Sequence, residues 1–422
     1  MSAAAPEAGR RIVLTNAVLS NTGDAAIAQA IVGLLIDSGL ISSARQVTVF
    51  DANARATRRL YPEWQVEQQL TVSPPREPAR LRAGLQRARA RVVGALARRP
   101  RWARRALRLP LIRRSAFARS YAALHGADLA VSSGGTYLVD HYNFAARVQE
   151  FELMQTMGLP VVLWTQSLGP FASPRSSALM RRAEPCIDGV YFRDKRSADA
   201  WASLLGEPQR GGVCADAVFA LPAPARPAAA ESDDERPVAV ISVREWGRGV
   251  DGDDYDRGAY RDMLRFAADR LARDGWRVSA LSTCQGVPSY AYDDATAAQR
   301  LLDGLPVDID AEFHTPSQLL RELSAVDLVI TTRMHLAIMA LLGRRPVIAV
   351  AYEFKTVELF QSLGLGRFVV RIEDCSTAWI DERITQALAA PEELCLSAAE
   401  LDRLRADAGT PLSAVRDLLP PP

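Results

Sequence analysis

Lysine is almost absent from this sequence. Of 51 basic residues in a chain of 422, only Lys195 and Lys355 are lysines. Arginine fills nearly every cationic position, so a retained lysine marks a place where a compact ammonium suits better than a planar fork. Cysteine is scarce as well. Cys186, Cys214, Cys284, Cys375 and Cys395 are scattered, odd in number and without metal-type spacing. That pattern speaks against a zinc module or a disulfide framework, and for buried thiols in a reducing compartment. No apolar run approaches the roughly 20 residues that span a bilayer. Met1–Arg10 lacks the apolar core of a signal peptide, so the expected location is the cytoplasm. There is no G-x-S-x-G elbow, no H-E-x-x-H pair and no nucleic-acid recognition motif. Neither a cofactor nor a metal is required by the residues present.

What is present is globular: 48% apolar and 24% charged residues, in a length suited to two domains. Short β-branched runs alternate with helical patterns, which predicts βαβ units and parallel sheets. The strand candidates are Ile12–Leu14, Val47–Phe50, Leu129–Ser132, Val161–Trp164, Val190–Phe192, Val238–Val243, Val278–Ser282, Leu328–Thr331 and Val347–Ala351. Helical patterns include Ala25–Ile36, Ser197–Leu205, Tyr260–Asp274 and Leu336–Leu342. A Pro- and Ala-rich stretch without periodicity predicts a linker at 223–237, between an N-terminal domain (1–222) and a C-terminal domain (238–422). The halves echo each other. Ala127-Asp128-Leu129 leads a strand that ends at Ser132-Ser133-Gly134, and Val326-Asp327-Leu328 leads one that ends at Thr331-Thr332-Arg333. A strand entered through Pro160 or Pro346 follows in each case. The expected fold class is α/β, two Rossmann-like sheets facing each other, with ligands at strand C-terminal ends.

Net charge is only +2, but residues 76–119 hold fifteen arginines and one acid, Glu77. Leu81, Leu85, Ala88, Val92 and Leu96 fall on one helical face there. Two readings stay open. The Leu stripe packs on the N-terminal domain with its arginines solvated, or the segment makes peripheral contact with an anionic membrane face. Nucleic acid is not the expected partner, since no recognition motif accompanies the charge.

Candidate site residues cluster after the strands. Asn21-Thr22-Gly23-Asp24 opens a helix whose free N–H groups could receive an anion, with Asp24 as a cap or a ligand contact. Gly134 and Gly135 allow a close backbone approach, and Asp140 and His141 follow them. Gln166 ends the Val161 strand and could meet a sugar hydroxyl or a carboxylate. Arg193 reads as structural, paired with Asp194. Arg244, Arg333, His335, Tyr352 and Lys355 come from strand ends separated in sequence, and the four cationic ones among them call for a small, highly charged anion.

Together these residues resemble the polysaccharide pyruvyl transferase family. The likeness runs through Asn21, Gly23 and Asp24; Gly134 and Gly135; Gln166, Gly169 and Pro170; Arg193, Asp194 and Ser197; Asp216; Ser242 to Arg244; Arg333 and His335; and Tyr352 and Lys355. Many members have Gly where this chain has Ser20, and the Arg-rich segment is not part of the family core. The resemblance implies a GT-B-like fold with a cleft between two Rossmann-like domains, the second on the donor side. It implies phosphoenolpyruvate as donor and a pyruvate ketal on a sugar or lipid-linked glycan as product. Arg244, Arg333 and Lys355 would then bind the donor, with His335 as general acid and Asp24 or Asp140 on the acceptor hydroxyl. A nucleotide-sugar glycosyltransferase is the alternative reading.

Overall fold

Apolar β-branched runs bounded by helices become buried parallel strands, because helices cover both faces of such sheets. The computed structural model describes residues 9–70, 91, 116–140, 142–223, 236–247, 250 and 255–421. Most of the 223–237 linker, most of the Arg-rich segment 76–119 with its Leu stripe, and His141 lie outside the described residues.

Seven strands form the first sheet: β1 (Ile12–Ala17), β2 (Val47–Asp51), β3 (Gln65–Gln68), β4 (Leu129–Ser132), β5 (Val161–Gln166), β6 (Gly189–Phe192) and β7 (Gly211–Val213). Six form the second: β8 (Val238–Ser242), β9 (Arg277–Ala280), β10 (Val307–Ile309), β11 (Leu328–Thr331), β12 (Val347–Ala351) and β13 (Val369–Arg371). The orders are β3-β2-β1-β4-β5-β6-β7 and β10-β9-β8-β11-β12-β13. Both are the doubly wound order, whose direction reverses between the first strand and the fourth. All nine strand candidates are strands. The four missed ones, β3, β7, β10 and β13, are short and partly exposed outer strands, so they carry little of the apolar signal that sequence patterning detects.

The echoed sequence has one physical role in both sheets. Asp128 accepts the Arg11 N–H at 2.7 Å and donates its own N–H to Arg11 O. Asp327 likewise accepts the Val238 N–H at 3.0 Å and donates to Val238 O. Each aspartate therefore clamps the entry of the fourth strand to the entry of the first. The proline that follows completes the likeness: Ala130 donates to Pro160 O and Val329 donates to Pro346 O.

By their contacts the residues fall into two units. One comprises Met1–Leu19, Ile27–Ala217 and Asp407–Pro422; the other comprises Ser20–Ala26 and Val218–Ala406. The last helix, Leu412–Leu418, thus counts with the first sheet, where Trp164 donates its indole N–H to Ala408 O. The core of the first unit gathers Val13, Phe50, Phe144, Phe151, Leu163, Phe192 and Trp201, all buried. In the second, β11 and β12 are buried along their whole lengths. Among the described residues no helix is long and apolar enough to cross a membrane.

Replacing Asp327 by Ala strands the Val238 N–H and should cost about 1–3 kcal/mol of stability. An unchanged midpoint in chemical denaturation would show that the clamp carries no weight.

Candidate active site

The reversal of strand order in the second sheet falls between β8 and β11, which pair through Ser242 and Thr331. Open α/β sheets bind ligands at that point, outside the carboxyl ends. Arg244 lies two residues past the end of β8, and Arg333 two past the end of β11. Tyr260 ties the two exits together. Its hydroxyl accepts the Arg244 N–H at 3.1 Å and shares a hydrogen bond with the Thr332 hydroxyl at 2.8 Å.

The two arginines are not equivalent. Arg244 is 7% exposed, and its guanidinium lies over three rings, at 4.4 Å from Trp246, 4.4 Å from Tyr352 and 5.0 Å from Tyr292. Its Nε has no hydrogen-bond partner among the described residues. Burial opposes the charge, but Tyr352, Glu353, Cys284 and Asp294 nearby outweigh it, so the pKa is raised and the group stays cationic. A desolvated cation over aromatic faces gains about 2 kcal/mol per good contact, yet rings leave its donors unsatisfied in the guanidinium plane. That edge is suited to an anion.

Arg333, in contrast, is engaged. Its Nε and Nη2 donate to Asp294 at 2.7 and 2.5 Å, with both side chains 5% exposed. For the donor-binding role expected of Arg333, one edge of its guanidinium is already occupied, and Nη1 lacks a partner among the described residues. Lys355 pairs with Glu353 at 2.5 Å, and its ammonium lies 5.8 Å from the Tyr352 ring that also faces Arg244.

The Asn21–Asp24 segment groups with the second unit. Thr22 donates its N–H to Thr283 O and its hydroxyl to His314 O. The cap is Asn21, whose side chain accepts the Gly23 N–H at 2.9 Å; Asp24 sits within the first turn of the helix Thr22–Asp37 instead. The Asp24 charge reaches Cys284 and Tyr290, where it adds to burial in raising both pKa values. Gly23 is there for a steric reason. A Cβ on it would lie 2.5 Å from His335 Nδ1 and 2.8 Å from His335 Cβ, so the half-buried His335 side chain packs closely against the turn. His335 is the second residue of the helix Met334–Leu342, which Arg333 precedes as N-cap residue.

In the first unit the expected ligand contacts turn inward. Gln166 is fully buried; its amide donates to Gly135 O and, at 3.0 Å, to Ser167 O. Its amide N–H groups hold the glycine loop, and its Oε1 has no partner among the described residues. Asp140 accepts from Ala172 N–H at 2.7 Å and from the hydroxyls of Ser173 and Ser176, so it fastens the start of the helix Pro174–Ala183. Gly134 is required because a Cβ there would meet Thr165 O at 2.6 Å, and one on Gly135 would meet the Tyr137 ring at 2.9 Å. Arg193 is structural, but its ion pair is with Asp216 at 2.9 Å. Asp194 caps the helix Lys195–Leu205 instead. Thr15, Asn16, Ser133, Thr165 and Gln166 each keep a buried polar atom without a partner among the described residues. Asn16 and Thr165 also take positive φ values, 61° and 53°, an unusual conformation for a β-branched residue such as Thr165.

Sequence reading missed Asp294, Trp246 and Tyr292. Trp246 was within reach, two residues past Arg244. Asp294 follows the capping Asp293, and nothing in its local pattern distinguishes it from a second helix-start acid.

Gly23→Ala should displace His335 and lower turnover by about tenfold to a hundredfold. Gly134→Ala, where the obstacle is backbone, should lower the unfolding midpoint more. A Gly23→Ala enzyme of normal turnover would separate His335 placement from activity.

Comparison with known proteins agrees with this architecture. Neisseria meningitidis UDP-GlcNAc 2-epimerase, solved bound to UDP-GlcNAc, superposes with a TM-score of 0.58 at 11% identity, over 96% of this chain and 100% of the epimerase. Anabaena HepE, solved with UDP-glucose, gives 0.52 at 12% identity over 97% and 98%. At such identities the likeness is one of fold, two Rossmann-like domains of the GT-B kind. In sequence, the amylovoran biosynthesis protein AmsJ of Erwinia amylovora is 25% identical over 285 residues, 63% of this chain and 67% of AmsJ. The profile of polysaccharide pyruvyl transferases matches residues 21–353, from the Asn21 turn through the Arg244, Arg333 and Tyr352 strand ends, and the chain belongs to the polysaccharide pyruvyl transferase family.

Proposed function

We propose that the protein transfers the pyruvyl group of phosphoenolpyruvate to a pair of sugar hydroxyls, forming a pyruvate ketal on a polysaccharide or lipid-linked glycan precursor. The observation that carries this reading is Arg244: a buried, charged guanidinium whose Nε lacks a partner among the described residues, at the sheet's reversal point and on the strand exit next to that of Arg333. Phosphoenolpyruvate offers two anionic groups on a three-carbon frame, which suits two cations leaving neighbouring strands. Arg244 is the primary anchor, Arg333 contributes through Nη1, and Lys355 adds a third positive charge next to the Tyr352 ring.

The chemistry balances as follows. A proton delivered to the methylene carbon makes it a methyl and leaves an oxocarbenium-like centre at C2. One sugar hydroxyl adds there and gives up its proton. Phosphate departs with the C2–O electron pair, and the second hydroxyl adds and loses its proton, closing the ketal. His335, in the first turn of a helix two residues after Arg333, is the general acid, since a positioned imidazole can deliver a proton to a reacting carbon. Asp24, held by the same turn that packs on His335, takes the proton of an acceptor hydroxyl. The pyruvyl-transferase profile and the AmsJ likeness support the reaction class.

Isothermal titration with phosphoenolpyruvate and with UDP-sugars tests the donor. Wild type should bind phosphoenolpyruvate, and Arg244→Ala should lose about 2–4 kcal/mol of that affinity. Tight binding of a UDP-sugar without phosphoenolpyruvate binding would favour a glycosyltransferase. His335→Gln should retain the donor but turn over roughly a hundredfold more slowly; a folded variant with normal turnover would remove His335 from the role of acid.

A further inference from the structure

We infer that Asp294 is a positioning residue, holding the Arg333 guanidinium in the orientation in which it meets the donor's anion. The inference rests on the donor reading of Arg244 and Arg333 above. Asp294 opens the helix Asp294–Leu301 and is buried. Its two oxygens take Arg333 Nε and Nη2 side-on, at 2.7 and 2.5 Å. The carboxylate is itself anchored. Ser282 donates to Asp294 Oδ2, and the Ser242 hydroxyl donates to that of Ser282 at 3.2 Å. Ser242 ends β8, Ser282 follows β9, and Arg333 follows β11, so the network links the exits of three strands adjacent in the sheet.

Stability alone does not account for this arrangement. A buried ion pair is seldom worth more than a well-packed apolar pair of the same volume, whereas removing one partner strands the other charge. What the pair does provide is a guanidinium pinned along one edge with Nη1 left over. Its orientation is settled before the ligand arrives, and orientation settled in advance raises affinity and aligns the reacting atoms. The carboxylate also cancels one of the two arginine charges that would otherwise repel each other, and its field acts on Arg244 directly. Burial pushes the Asp294 carboxyl up, against the pull of Ser282 and Arg244. That shift is the signature of a carboxylate held where solvation does not favour it.

The test is a double-mutant cycle read by titration with phosphoenolpyruvate and, separately, with inorganic phosphate. Asp294→Asn should weaken binding of both anions by about tenfold, and adding it to Arg333→Ala should weaken binding little further, because the two act as a unit. Added to Arg244→Ala, it should act nearly in full. Ser282→Ala, which keeps the ion pair but loosens its anchor, should weaken binding by about twofold to threefold and serves if Asp294→Asn does not fold. Asp294→Glu should restore part of the affinity, which loss of packing alone would not predict. If wild type binds phosphate but not phosphoenolpyruvate, the donor reading falls and the cycle on phosphate still decides the role of Asp294. Unchanged anion affinity in Asp294→Asn and Ser282→Ala, full additivity with Arg333→Ala, or a wild type that binds neither anion would overturn it.

Discussion

Burying an arginine with no carboxylate hydrogen-bonded to it is costly, because its donors lose water and gain no acceptor. The second unit does this at Arg244. Glu353 and Asp294 nearby keep it charged, and three aromatic rings face it with their electron-rich sides. They cannot recover the in-plane hydrogen bonds, and the Nε remains unpartnered among the described residues. Most of the site follows from that constraint. Trp246, Tyr292 and Tyr352 exclude water from the cation, Tyr260 fixes the backbone that carries it, and Arg333 is turned by Asp294 so that two guanidinium groups coexist at neighbouring strand exits.

The sheet topology explains why these residues meet. Arg244 and Arg333 are far apart in sequence, yet they leave the first and fourth strands of a doubly wound sheet, where the order reverses. The first sheet repeats the plan, down to an aspartate that clamps strand entries and a proline that receives a strand N–H. At its own reversal point, however, Gly134 stands where the second has Arg333, and Ala17 where it has Arg244. One backbone plan therefore carries two different surfaces, and chemistry follows from the side chains and not the fold.

Much of this was legible in the sequence. Central strands are buried on both faces, so their β-branched runs stand out, and nine were found; the outer strands β3, β7, β10 and β13 lack that signal. Arg244, Arg333, His335, Tyr352 and Lys355 were recognisable as strand-end residues, and Gly134 and Gly135 as positions of close approach. Partnership was not legible. Whether Arg333 is open or paired depends on Asp294, 39 residues earlier, and whether Gln166 or Asp140 faces a ligand or braces a loop depends on contacts that no local pattern encodes. Arg193 illustrates the same limit: its neighbour Asp194 was the obvious partner, and the fold supplies Asp216.

The central claim is that Arg244 is the anchor for an anionic donor. The most direct measurement is a crystal structure of the wild-type protein with phosphoenolpyruvate bound. The account predicts a donor carboxylate or phosphate oxygen within hydrogen-bond distance of Arg244 Nε, with Arg333 still held side-on by Asp294. A donor seated with no contact to Arg244, or one that displaces Asp294 from Arg333, would contradict it.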